Sequence, residues 1–137
     1  MKMLMFQARR FAWAPFEPTV EGADEVMPDG VEVADAAVIF IHAERGDEAA
    51  RGKTLTKTLK NIKWIANKRG LCRVVLHSFT HLGGATAEFD FARQLLLDTA
   101  QRLRNTGYEV WITPFGWVCT WKLAVYGESL AKVFKSF

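Results

Sequence analysis

Long hydrophobic runs are missing from this chain. The opening Met1-Lys-Met-Leu-Met-Phe6 stays apolar for only a few residues before Gln7-Ala-Arg-Arg10. That is far short of the about 20 needed to span a bilayer, and too short for a signal-peptide core. No membrane partner is expected, and a soluble, cytoplasmic protein is. Cysteine is scarce too. Cys72 and Cys119 are the 2 present, and they form no CxxC pair. They supply no disulfide framework and fit a reducing compartment. The P-loop lysine, a GxGxxG fingerprint and a GxSxG elbow are all absent, which argues against nucleotide hydrolases, dinucleotide enzymes and α/β-hydrolases. Ser78 and Ser129 have no evident triad partner. Of the 3 histidines, His77 and His81 lie four apart on a strand and turn with no third ligand near in sequence, so neither a metal nor a cofactor is expected.

What is present is globular. The 137 residues are 50% hydrophobic, 12% aromatic and 24% charged, the size and composition of one domain over residues 1–137. The net charge of +3 decides nothing, but its distribution is polarised. Residues 51–69 carry Arg51, Lys53, Lys57, Lys60, Lys63, Lys68 and Arg69 with no acid, whereas residues 17–35 carry seven acids and no Lys or Arg. A basic stretch is either a solvated face or a surface for a polyanion.

Met1–Gln7 reads as a first strand, broken at Arg9-Arg10, and Phe11–Pro15 as a second that Pro15 ends or confines to an edge. Residues 16–35, with Pro18, Gly22, Pro28 and Gly30 among acids, read as a solvated loop with room for short extended pieces. Ala36–Ile41 is the clearest buried strand. Leu55, Leu59, Ile62 and Ala66 form the apolar stripe of a helix over Arg51–Arg69, with an exposed Trp64 among its lysines and Gly70 as its stop. Val74–Leu76 is a further strand. Thr86 is a plausible N-cap for a helix reaching about Asn105, with Asp98 supporting Arg102 at i+4 and Gly107 ending it. Tyr108–Ile112 and Trp117–Val125 are strands, the latter carrying Cys119, Trp121, Leu123 and Val125 on one face. Ser129–Phe137 reads as a short closing helix. The sum is an α/β sandwich of sheet and helices with mixed strand directions.

Chemistry is expected where Val74–Leu76 turns polar, at His77, Ser78 and His81 before Gly83-Gly84, because ligands gather outside the carboxyl ends of strands. A lone His81 is also the pattern of a hydrogen-bonded structural histidine. Thr113-Pro-Phe-Gly-Trp117 supplies a tight turn whose rings suit either a wall for a flat base or a hydrophobic plug. Cys119 is a nucleophile candidate or, on its apolar face, a packed inert thiol.

In order along the chain come Ser78-Phe-Thr-His-Leu82, the following helix, Arg104-Asn-Thr-Gly-Tyr-Glu-Val110, Pro114-Phe-Gly-Trp117 and Gly127-Glu-Ser-Leu-Ala131. This order resembles the editing domain of archaeal threonyl-tRNA synthetases, itself similar in fold to D-aminoacyl-tRNA deacylases. The resemblance runs best from about Arg73 to Lys132. Earlier it rests on the first strand and on Val38-Ile-Phe-Ile-His-Ala-Glu44. It implies hydrolysis of the ester of wrongly attached serine on threonine tRNA, with the terminal adenosine between the two turns. It puts His81 at the substrate end beside Ser78, Phe79 and Thr80, and Pro114, Phe115, Gly116 and Trp117 at the adenosine wall. Gln7 and His42 are expected to close the other side. It also implies a homodimer, the tRNA 3′ end as partner, a threonyl-tRNA synthetase as a possible second partner and, with no synthetase body after Phe137, a free-standing version. Lys53, Lys57 and Lys60 are the residues expected to meet the tRNA backbone. The chain departs from the family pattern at four positions. Cys119 stands where the family has a water-orienting lysine, Lys132 where it has a glutamate, and Ser78 and Thr80 where it has proline and alanine. Cys119 and Lys132 are therefore the catalytic positions to watch, and a binding module without turnover is the alternative.

Overall fold

Ala36–Ile41 is apolar on both sides of the pleat, and a strand of that kind must be covered on both faces. The computed structural model, which describes residues 1–26 and 29–137, places it at the centre of one sheet. The elements are β1 (Lys2–Pro18), β2 (Val31–His42), α1 (Arg51–Asn67), β3 (Arg73–Ser78), α2 (Phe89–Arg104), β4 (Glu109–Ile112), β5 (Trp117–Val125) and β6 (Lys132–Ser136). The sheet order is β4-β3-β2-β1-β5, with β6 also pairing β1. β2, β3 and β4 are parallel, and β1 is antiparallel to β2, β5 and β6. Each parallel step is made by a crossover helix, α1 and then α2, as parallel strands require.

Both helices cover one face. Met3, Met5, Ile39, Ile41 and Leu76 pack there with Ile62, Ile65, Leu95 and Leu103, all of them buried. Burial of one such side chain contributes about 1.5–3 kcal/mol. The opposite face is aromatic, built on Phe11, Trp13, Val38, Phe40, Val75 and Cys119.

The structure corrects four readings of the sequence. The two expected N-terminal strands are one, β1. Arg9-Arg10 does not end it, because the register against β5 slips between Ala8 and Arg10, and such a bulge lets both arginines stay exposed while the strand continues. The acidic loop is shorter than expected, since β1 runs to Pro18 and β2 begins at Val31; Pro28 lies outside the described residues. Ser129–Phe137 is a 3-10 turn (Ser129–Ala131) followed by β6, not a helix. Val133 and Phe137 pack on the helix-side core while Lys132, Phe134, Lys135 and Ser136 are exposed, and the strand satisfies the open edge of β1 beside Lys2–Phe6. Finally, α2 starts at Phe89 with Glu88 before it, and Thr86 is bridged to Glu44 instead of capping.

Two surface readings change as well. Trp64 is half-buried against the core with the Lys135 ammonium 5.4 Å from its ring centre. Asp98 pairs with Arg51 and Gln94 rather than Arg102.

Candidate active site

The carboxyl ends of β2 and β3 open onto a cavity of about 340 Å³, within the range of small-molecule sites. The turn after β3 and the turn before β5 form opposing walls. Ser78, Phe79, Thr80 and His81 line it from one, and Pro114, Phe115, Gly116 and Trp117 from the other. Cys119 and Trp121 of β5, Ala43, Thr86 and Phe89 extend the lining. Among the described residues, no Lys, Arg, Asp or Glu lines it. Charge developing inside therefore has no lysine or arginine to meet it, and polar side chains and backbone donors are what the lining offers.

The aromatic turn is held by a segment whose composition suggested only a solvated loop. Thr19 N–H donates to Gly116 O at 2.8 Å and Asp24 N–H to Phe115 O at 3.0 Å. The Asp24 carboxylate accepts from Phe115 N–H at 3.1 Å and from the Arg93 guanidinium of α2 at 3.0 Å. Its backbone oxygen takes the Trp117 indole N–H at 2.7 Å. Gly116 is needed at this clasp. Its φ is +81°, and a Cβ there would meet Ala23 and Val20 at 3.1 Å. Asp24 was missed because its partners lie 69 to 93 residues away; nothing local marks it.

His77, on β3, packs against Phe40 and Phe79, with ring centres 4.7 and 6.0 Å away. Its Nδ1 pairs with the Thr113 hydroxyl at 2.8 Å. Burial pushes its pKa down to about 4, so the imidazole is neutral at physiological pH. His81 is exposed, its ring centre 5.2 Å from that of Phe79 in a T-shaped arrangement. Burial likewise raises the pKa of the Cys119 thiol, which favours an unreactive, protonated sulfur.

Other residues expected at the site fall elsewhere. His42 is fully buried behind Thr86, its Nε2 3.2 Å from that hydroxyl, and burial lowers its pKa. Gln7 is buried under α1, donating to Ile65 O at 2.8 Å and accepting from Arg69. Lys132 is exposed at the start of β6, its ammonium reaching Gly127 O at 3.2 Å. None of the three lines the cavity. Lys53, Lys57 and Lys60 are exposed on α1, with the Lys57 ammonium 5.6 Å from the Phe137 ring centre.

The comparisons with known proteins speak to this arrangement. The model of the Archaea-specific editing domain of threonyl-tRNA synthetase matches residues 1–137. This chain belongs to that family. As an editing-domain relative it resembles the threonine–tRNA ligases of Thermofilum pendens, 26% identical over 97% of this chain and 22% of the ligase, and Pyrobaculum calidifontis, 28% identical over 100% and 22%. It is 31% identical to that of Thermococcus kodakarensis over 72% of this chain and 16% of the ligase. The editing-domain chain thus spans about a fifth of the length of these curated relatives. A solved structure, the c-Myc DNA Unwinding Element Binding Protein, superposes with a TM-score of 0.71 at 12% identity, over 100% of this chain and 99% of its own. At that identity the likeness shows the fold alone, and the fold is D-aminoacyl-tRNA deacylase-like. No helix among the described residues is long and apolar enough to cross a membrane.

Proposed function

We propose that this chain is an aminoacyl-tRNA editing domain acting in trans, hydrolysing the ester between a wrong amino acid, serine in the first instance, and the 3′ adenosine of a tRNA. The observation that carries the reading is the cavity between the histidine turn and the aromatic turn, in a chain of the editing-domain family. In this reading the adenine stacks on Phe115 and Trp117 against Pro114 and the bare backbone of Gly116. The aminoacyl group reaches towards Ser78, Phe79, Thr80 and His81. Water attacks the ester carbonyl, and positioning with neutral hydrogen-bond donors lowers the barrier. His42, Gln7 and Lys132 act only indirectly, since none lines the cavity. The test is release of amino acid from seryl-, threonyl- and other aminoacyl-tRNAs by the purified protein. Hydrolysis of none of them above the buffer rate would falsify the enzymatic reading.

A second reading has its own observation in favour. Cys119 lines the cavity where the family resemblance expects a lysine, and no cation replaces it there among the described residues. A binding module that keeps the adenosine pocket without turnover fits that lining. Tight binding of a non-hydrolysable aminoacyl-adenosine analogue, with no release from any aminoacyl-tRNA, would select it. Either way, the lysines of α1 are proposed to meet the tRNA backbone, a threonyl-tRNA synthetase is a proposed partner, and a homodimer is the expected state, checked by sedimentation.

A further inference from the structure

The cavity needs a fixed electropositive group and, among the described residues, no Lys or Arg lines it, yet one of its neutral donors is already held in place. His77 lines the cavity on a β3 position flanked by Phe40 and Phe79, and Nδ1 is tied to Thr113 Oγ1 at 2.8 Å. Thr113 is 2% exposed, and its hydroxyl has no acceptor other than His77 Nδ1 among the described residues. A buried hydroxyl proton left unpaired costs about 1–3 kcal/mol. The hydroxyl therefore donates to Nδ1, and the ring proton of the neutral imidazole sits on Nε2. Among the described residues that nitrogen has no hydrogen-bond partner. Because His77 lines the cavity, this N–H is the ring's one donor left for a ligand there.

We infer that His77, through Nε2–H, is the electrophilic donor that meets the carbonyl oxygen of the scissile aminoacyl ester. This rests on the deacylase reading above. Water oxygen adds to the carbonyl carbon, and the C=O π pair moves onto the oxygen, where the Nε2–H hydrogen bond strengthens as negative charge grows. The bond from the acyl carbon to the ribose oxygen then breaks, that oxygen takes a proton originating from the attacking water, and the free amino acid leaves. His77 keeps its proton throughout. A neutral imidazole suits this role because packing fixes it before the substrate arrives, and such preorganised donors are worth about 10²–10³ in rate. Thr113 is the positioning residue, since it sets which nitrogen carries the proton.

Two measurements test this. The first is ¹⁵N NMR of the imidazole in the wild-type protein at pH 7, which reads the tautomer whether or not the protein turns over. A protonated Nε2 with an acceptor Nδ1 is expected, and a protonated Nδ1 overturns the assignment. The second is single-turnover deacylation by wild type, His77→Phe, Thr113→Val and Thr113→Ser. His77→Phe fills the aromatic niche and is expected to lower the chemical rate about 100-fold with little change in substrate binding. Thr113→Val lowers it by a smaller factor, and Thr113→Ser restores it. If wild type turns over and His77→Phe stays within twofold of it, the role of His77 is wrong and the deacylase reading stands. If wild type releases no amino acid from any aminoacyl-tRNA, the deacylase reading fails and takes the catalytic role with it.

Discussion

Acidification should unfold this protein in a way that one histidine largely controls. His77 is buried and uncharged, with its pKa held at about 4 against an ordinary 6.5, and burial is the cause. In the unfolded chain it titrates normally. As pH falls from about 6.5 to about 4, the unfolded state takes up a proton that the folded state refuses, so the contribution of His77 to stability is lost through that window and is fully present above about pH 7. The difference between the two pKa values is worth about 3 kcal/mol, a large part of the about 5–15 kcal/mol by which domains are stable. The assay is urea denaturation of wild type and His77→Gln at intervals between pH 7.5 and 4. Gln keeps a polar group beside Thr113 but never titrates. Whatever the substitution costs at neutral pH, the gap should close by about 3 kcal/mol on the way to pH 4. His42, whose pKa burial also lowers, acts equally in both proteins and cancels in the difference. Curves that stay parallel across the window would show that folded His77 protonates freely, and the reasoning from burial would be refuted.

Four further outcomes are expected. Asp24→Ala should strip protection from the Phe115 amide in hydrogen exchange and weaken adenosine-analogue binding by about 1–3 kcal/mol, because Asp24 bonds both Phe115 N–H and Arg93; an unchanged Phe115 exchange rate would contradict the clasp. Gly84→Ala should destabilise by more than about 1 kcal/mol in urea, since its φ is +82° and a Cβ would lie 2.5 Å from a Glu44 carboxylate oxygen. Iodoacetamide should label the exposed Cys72 well before Cys119, which is buried with a raised pKa; equal rates by mass spectrometry would mean that Cys119 is an active thiol. Lys53, Lys57 and Lys60 changed together to Glu should weaken tRNA binding and flatten its dependence on log salt, by about 0.7–0.9 for each phosphate no longer neutralised; an unaltered slope would remove α1 from the tRNA surface.

Much of the fold was legible because its signals are local. The first helix shows its apolar stripe and Ala36–Ile41 shows a strand buried on both faces, as observed. The chain ends were misread where pairing outweighed local pattern. Arg9-Arg10 looks like a break until β5 supplies a bulged register, and Ser129–Phe137 looks helical until β1 offers an unpaired edge. A strand end takes much of its stability from the neighbour it pairs with, and no window of sequence contains that neighbour.

The same division runs through the site. By itself the sequence determined where the two turns lie and which polar and aromatic residues they carry, because a strand ending in His-Ser and a Pro-Phe-Gly turn are short-range features. The tertiary structure alone decided that they face each other across one cavity, and that Gln7, His42 and Lys132 do not line it. It also tied Phe115 and Trp117 to Asp24, and aimed a neutral His77 by way of Thr113. Those bonds join residues 36 to 93 positions apart. Which hydroxyl reaches which imidazole depends on how the sheet is ordered and the helices packed, and at that range composition and spacing carry no signal.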